Sequence, residues 1–440
     1  MDLEGVLSGR GGDRAVRELL LGGGPRALRE LIVPGGGRTL RACRLRRAHL
    51  KPGRKLSGYY DVYVRGESQP VAVAVAWYSG GVPAGAVELA ASAEAGLRAA
   101  AVPARLERLW AADPARGMLV LATPLDPAFP GLGPLSDPAR AGEALGSRSG
   151  ELGGPAGAGA VRTIRYRPGQ RHVLEYRRDG APPLFVKLYR PGQGAPVAGA
   201  VTALADLLES AAIPRLHAVR PAAVLGDGDA LVYRLAPGAP LSRALGAGRA
   251  PDAAHLAHVG LLLRTIHAAP RPGVPLPERD LGAEVRTVTR ACEAMAALRP
   301  DLGALAAGIV ETAHRSLMAL EQEPLTPVHG DMKADHLLWG RQGLHVLDTD
   351  RCSLADPAYD LGKMLADLRF WGTTGGAIHA AEAEAAVLAA YAGTGARLDR
   401  ARIYAALLLV RMAARRVPLA SLDWAARTAT LLASAGRTVR

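Results

Sequence analysis

Val328 and Leu337 are the apolar ends of a stretch, His329-Gly330-Asp331-Met332-Lys333-Ala334-Asp335-His336, rich in side chains that no folding argument requires. Leu337-Leu338-Trp339 and Leu344-His345-Val346-Leu347 then read as a hairpin turning at Gly340-Arg341-Gln342-Gly343, with Asp348 just beyond it. That geometry predicts Asp331 and Asp348 at two neighbouring loop ends that face one cleft. An acid in each of two adjacent loops suits phosphoryl transfer. One orients the attacking hydroxyl and accepts its proton, and the other, a hard oxygen ligand, holds Mg²⁺ against nucleotide phosphates.

The stretch resembles the catalytic loop of the protein-kinase-like small-molecule kinases, the aminoglycoside phosphotransferase and choline kinase group. Their pattern is His-Gly-Asp, four residues, a metal-binding Asn, then a strand and a second metal-binding Asp. By this resemblance Asp331 is the catalytic base and Asp348 the second metal ligand. His336 occupies the Asn position, a departure in a chain with no asparagine at all. Imidazole is a softer ligand than an amide, so Mn²⁺ is expected beside Mg²⁺. Asp356-Pro357-Ala358-Tyr359-Asp360-Leu361 matches the segment that follows in the family, where Asp356 and Asp360 are expected to cap and order the metal loop. Lys333 resembles the protein-kinase lysine that neutralises the transferred phosphate.

Upstream, Phe185-Val186-Lys187-Leu188-Tyr189 resembles the strand whose lysine grips ATP phosphates, and the chain has only five lysines. Val232, Tyr233 and Leu235 resemble the hinge where backbone groups meet adenine. The helix after Lys187 has no Glu in its first half to brace that lysine; Asp206 and Glu209 come late. A similar order of strands, helix and strand precedes this region. Tyr78 and Tyr189 lie 111 residues apart, as do Pro103 and Pro214, and Ala76 stands where Lys187 would be. The earlier stretch is either a degenerate copy of the nucleotide lobe or an unrelated β-hairpin segment.

Helical patterns dominate from Ala253 onward: Leu256, Val259, Leu262, Leu263 and Ile266 share one face, followed by helices at about 281–298, 302–320, 380–392, 400–417 and 422–435. His267 is expected to be structural. In the family, acceptors bind among the last helices, where Asp367, Arg369 and Trp371 are candidates that the sequence does not rank.

Arginine supplies nearly all of the positive charge, and the net charge of +13 fits a high-G+C composition bias better than a nucleic-acid surface: no basic tail and few aromatics accompany it. Three distant cysteines suit a reducing cytoplasm and form neither a disulfide framework nor a zinc site. No apolar run reaches membrane-spanning length. The expectation is a cytoplasmic protein with no nucleic-acid or membrane partner, its oligomeric state undetermined.

The fold class expected is α+β, a protein-kinase-like two-lobe fold with an additional N-terminal domain. Residues 1–145 would form the accessory domain, 146–159 a linker, 160–240 the nucleotide lobe and 241–440 the helical lobe with catalytic loop and acceptor site. The implied function is ATP-dependent phosphorylation of a hydroxyl on a small polar molecule such as a sugar, amino sugar or aminoglycoside. The alternative is a catalytically silent kinase-like module that binds nucleotide or a partner.

Overall fold

A computed structural model describes residues 2–33, 35–152, 159–249, 251–374 and 380–439. Of the linker expected at 146–159, residues 153–158 lie outside them. The chain forms an α+β fold of two compact units, one of residues 1–196, 221–235 and 418–421, the other of 197–220, 236–417 and 422–440.

The first unit holds two five-stranded antiparallel sheets. Strands β1 (Leu40–Lys51), β2 (Lys55–Val64), β3 (Val71–Tyr78), β4 (Trp110–Asp113) and β5 (Met118–Ala122) take the order β1-β2-β3-β5-β4. Strands β6 (Ala160–Arg167), β7 (Arg171–Arg178) and β8 (Ala181–Leu188) continue past β9 (Leu216–Ala218), which belongs to the second unit. With β10 (Ala223–Leu225) and β11 (Ala230–Arg234) they give β6-β7-β8-β11-β10, the same order as in the first sheet. In each, the third strand leads into a helix, Ala84–Ala99 or Gly194–Ser210. Ala76 pairs with Leu119 on β5 as Lys187 pairs with Leu231 on β11.

β-Branched residues at alternate positions make β3 a strand. Val71, Val73, Val75 and Trp77 turn inward and are all but fully buried. The second sheet buries Leu174, Tyr176, Leu184, Val186, Leu188 and Val232 in one cluster with Phe129, Leu132, Leu135 and Leu145 from the chain between the sheets. Tyr176 donates its hydroxyl hydrogen bond to the Leu135 carbonyl at 2.7 Å, satisfying the polar end of a buried ring. The glycines at 22–24 do not interrupt the helical path: a π-helical turn, Leu19–Gly23, runs straight into the helix Gly24–Leu31. Gly24 sits so close to Tyr60 and Trp77 that no larger residue fits.

The second unit is helical around one buried helix, Pro357–Thr374. Its residues from Pro357 to Leu368 are all buried, as expected of a helix packed on every side. Gly362 permits close approach of the helix Gly395–Arg416, because a Cβ there would lie 2.5 Å from the Tyr404 Cβ. That helix starts before the expected Arg400 since Thr394 caps it, its side chain accepting from the Arg397 amide. The helices Ala253–Ala268, Leu281–Leu298, Pro300–Ala319, Ala380–Tyr391 and Trp424–Thr438 lie close to the expected spans. Short strands complete the unit's two small sheets: β12 (Ala239–Pro240), β14 (Leu337–Gly340) and β15 (Gly343–Val346) join β9 in the order β12-β14-β15-β9, and β13 (Thr326–Val328) pairs with β16 (Ser353–Ala355). Strands β14 and β15 are the expected hairpin, in register from Leu337↔Val346 to Gly340↔Gly343. Among the described residues no helix is long and apolar enough to cross a membrane.

Candidate active site

Two strand pairs set the loops of the second unit. Strand β13, held by β16, delivers the chain at His329, and a 3-10 turn, Ala334–His336, leads into β14. The β14–β15 ladder extends one bond further, from the Leu347 amide to the His336 carbonyl at 2.8 Å, so Asp348 emerges beside His336. Asp348 takes φ +58°, a left-handed conformation that Asp tolerates better than most residues.

Glycine is required at 330. Its φ is +78°, and a Cβ would lie 2.0 Å from the Arg351 carbonyl oxygen. His329 ties the two loops together. Its Nδ1 accepts from the Asp331 amide at 3.2 Å, which leaves Nε2–H to donate to the Leu347 carbonyl at 3.0 Å.

The central helix carries three charged residues, Asp360, Lys363 and Asp367, on one stripe at i, i+3 and i+7. Each meets the loop 329–334. Asp360 accepts from the amides of His329 and Gly330, the latter at 2.9 Å. Lys363 places its Nζ 3.5 Å from Asp331 Oδ1. Asp367 accepts from the Ala334 amide at 2.8 Å and pairs with Arg416. Asp360 therefore orders the loop that carries Asp331 rather than the loop of Asp348 expected from sequence, because it points from the helix's first turn at the end of β13. Asp356 does cap the helix, accepting from the Ala358 amide at 2.9 Å, and is neutralised by buried Arg400.

Asp331 is held at both oxygens, since Lys333 Nζ lies 2.9 Å from Oδ2. Burial alone would raise its pKa, but Lys363 and Lys333 outweigh burial and hold the carboxyl well below the usual carboxylate range. Burial lowers the pKa of Lys363 to about 8 despite the nearby Asp331 and Asp367. His336 is also shifted down by burial, and its neutral ring is oriented by the Asp331 carbonyl 3.1 Å from Nδ1. With its proton on Nδ1, the Nε2 lone pair faces Asp348 Oδ2 at 3.1 Å. Two ligands at right angles on one small divalent ion, at bond lengths near 2.1 Å, stand about 3 Å apart, so this donor pair fits a cation. Among the described residues no cluster of three or more metal-ligating side chains exists. A magnesium ion that keeps water and takes phosphate oxygens needs only one or two protein ligands.

In the first unit, Lys187 on β8 lies with its Nζ 4.8 Å from the centre of the Tyr233 ring on β11, a cation–π contact. Val232 turns its side chain into the sheet core, and its carbonyl accepts from the Ala222 amide at 2.7 Å. Leu235, just past the strand, is half exposed. In the second unit Arg220 pairs with both late helix acids, Asp206 at 3.0 Å and Glu209 at 2.7 Å. Of the acceptor candidates, Asp367 is fully buried and engaged as above, and Arg369 makes a two-pronged pair with Glu384. His267 is buried against Tyr391, its Nδ1 2.9 Å from the phenol oxygen. Cys352 is buried and its thiol pushed up to about 12, far from a reactive thiolate.

Several solved structures are similar to the chain. Amicoumacin kinase hAmiN, in complex with AMP-PNP, Ca²⁺ and amicoumacin, matches at 15% identity and a TM-score of 0.44, over 62% of this chain and 88% of its own. A choline/ethanolamine kinase family protein from Mesorhizobium loti matches at 16% and 0.44, over 66% and 93%. Aminoglycoside phosphotransferase APH(3'')-Id from Streptomyces rimosus matches at 20% and 0.40, over 61% and 96%. No curated protein matches the chain. A family model matches residues 163–404, more than half of the sequence and the whole run from β6 through the braced loops to the helix Gly395–Arg416. The chain belongs to the Phosphotransferase enzyme family.

Proposed function

We propose that this phosphotransferase moves the γ-phosphoryl group of ATP to a hydroxyl of a small polar molecule such as a sugar, amino sugar or aminoglycoside. The observation that carries the reading is the joint bracing of Asp331 and the His336–Asp348 pair by one set of buried bonds. The acceptor oxygen forms the new bond to phosphorus, and the bond to ADP breaks with its electron pair left on ADP. The hydroxyl proton passes to Asp331 and then to water. Lys333 offsets charge on the phosphoryl oxygens, a stabilisation that prearranged cations supply best. His336 and Asp348 would hold Mg²⁺ or Mn²⁺, which when bound screens the phosphate charges. Lys187 and the stretch at Val232, Tyr233 and Leu235 are assigned to the nucleotide.

Residues 1–145 are read as a non-catalytic copy of the lobe at 160–240, joined through 146–159, and residues 241–440 as the lobe of catalysis and acceptor binding. The equal strand orders of the two sheets support that reading. A cytoplasmic location follows from the reducing environment that three unpaired cysteines suit.

The test is ADP release from ATP and Mg²⁺ against a panel of neutral sugars, amino sugars and aminoglycosides. Turnover with one class is expected. Nucleotide binding with no ADP release, with or without acceptor, would instead mark a silent nucleotide-binding module.

A further inference from the structure

Lys363 has no part in the catalytic roles assigned so far, yet it is buried beside the Asp331 carboxylate. Its side chain is 9% exposed and reaches Asp331 Oδ1 at 3.5 Å from the middle of the helix Pro357–Thr374. A lysine in such a place is costly to charge unless a carboxylate answers it, so purely structural packing would favour an apolar residue. An acceptor hydroxyl must come within about 3 Å of an Asp331 oxygen to be oriented for attack. Lys333 already holds Oδ2 at 2.9 Å. The oxygen left for the acceptor is the one that Lys363 addresses.

We propose that Lys363 is a positioning residue for phosphoryl transfer: its ammonium fixes Asp331 as an oriented carboxylate at the point where the acceptor hydroxyl enters. This rests on the reading of Asp331 as the group that orients the acceptor. Clamped between two ammoniums, Asp331 is too weak a base to remove the proton before attack. The proton is handed over late, once the acceptor oxygen has begun to bond phosphorus and become strongly acidic. A loose transition state tolerates that order of events. The charge state of Lys363 then matters in the neutral to mildly alkaline range, because burial brings its pKa to about 8. The groups that face it are Asp331 and Lys333 from the loop, Asp367 on its own helix, and Arg411 from the helix Gly395–Arg416. Arg411 is itself paired with Glu284 at 2.6 Å.

Two measurements on the full-length protein test this. The chain has five lysines, so lysine labelled with ¹³C at Cε gives a small set of resonances to titrate by NMR. One is expected to titrate near pH 8 and to vanish in Lys363→Arg. The second is Mg²⁺-dependent ATP hydrolysis with water as acceptor, followed against pH. Wild-type kcat is expected to fall as pH rises through about 8, where the ammonium is lost; Lys363→Arg, always charged, should not show that limb. Lys363→Met should lower kcat roughly 10- to 100-fold with KM for ATP changed less than about threefold. A merely structural lysine would alter the folded fraction and leave the pH profile alone.

A resonance near pH 8 that persists in Lys363→Arg, or five lysines all titrating in the ordinary range, would overturn the proposal. So would Lys363→Met with wild-type kcat and pH profile; ATP hydrolysis would then stand and only the role of Lys363 would fall. Absence of ADP release by the wild type both with water and with every acceptor of the panel would overturn the transfer reading and the positioning role together.

Discussion

The imidazole of His329 donates from Nε2 to the Leu347 carbonyl at 3.0 Å while its Nδ1 accepts from the Asp331 amide. One buried ring thus links the residue before Asp348 to the proposed acceptor-orienting acid, and a shift of either loop must strain or break one of these bonds. This is the physical reason for a histidine at the head of the motif: no other neutral side chain accepts and donates from two opposed ring positions.

Replacing His329 with Ala should therefore reduce kcat by about 10- to 100-fold, since a displacement near 1 Å at a reacting group costs about 100-fold. Unfolding in urea should show a loss of roughly 1–3 kcal/mol for the backbone groups left unpaired. Steady-state kinetics and denaturation on the same preparation check both; an unchanged rate would detach the ring from loop placement.

Asp360 holds two consecutive amides from a fully buried position, and Gly330, which carries the second, admits no Cβ. Asp360→Ala is expected to be among the more destabilising single changes, about 3–5 kcal/mol, because it strands donors and opens a cavity. Burial would raise the Asp360 pKa, but His267 and the His329 amide outweigh burial and hold it below the ordinary value. Its stabilising effect is fully present above the unfolded carboxyl pKa near 4 and lost as pH falls through the lower folded value. Acid unfolding of wild type against Asp360→Asn should show the wild type losing its advantage in that window. Identical acid midpoints and stabilities would contradict it.

His336 is proposed to take the place of an amide metal ligand, so the metal preference is the signature of that role. His336→Asn should shift activity toward Mg²⁺ relative to Mn²⁺, measured as the ratio of rates with each metal. A ratio that does not move would remove His336 from the proposed metal site and leave it as a buried ring bonded to the Asp331 carbonyl.

Much of this was legible in the sequence because local rules acted alone. The hairpin at 337–346 follows from two apolar runs around a Gly-x-x-Gly turn, and its ladder suffices to bring Asp348 beside His336. The inward face of β3 could be read from alternating valines. What the sequence hid was long-range: nothing local says that Asp360 reaches back 30 residues to the Gly330 amide, or that Asp367 is engaged with a loop rather than with an acceptor. A signal was present, though. Asp360, Lys363 and Asp367 recur at i, i+3 and i+7 in a segment otherwise apolar enough to be buried, and a charged stripe on a buried helix must face partners. The run Gly22-Gly23-Gly24 hides its structure in the same way, since packing of Gly24 against Tyr60 and Trp77 overrides the tendency of glycine to break a helix.

Single-turnover transfer by Asp331→Asn, set beside ATP binding by the same variant, tests the central claim most directly. The account predicts a rate lower by about 10²–10⁴-fold with ATP affinity within a few-fold of wild type. Wild-type transfer by Asp331→Asn would contradict it.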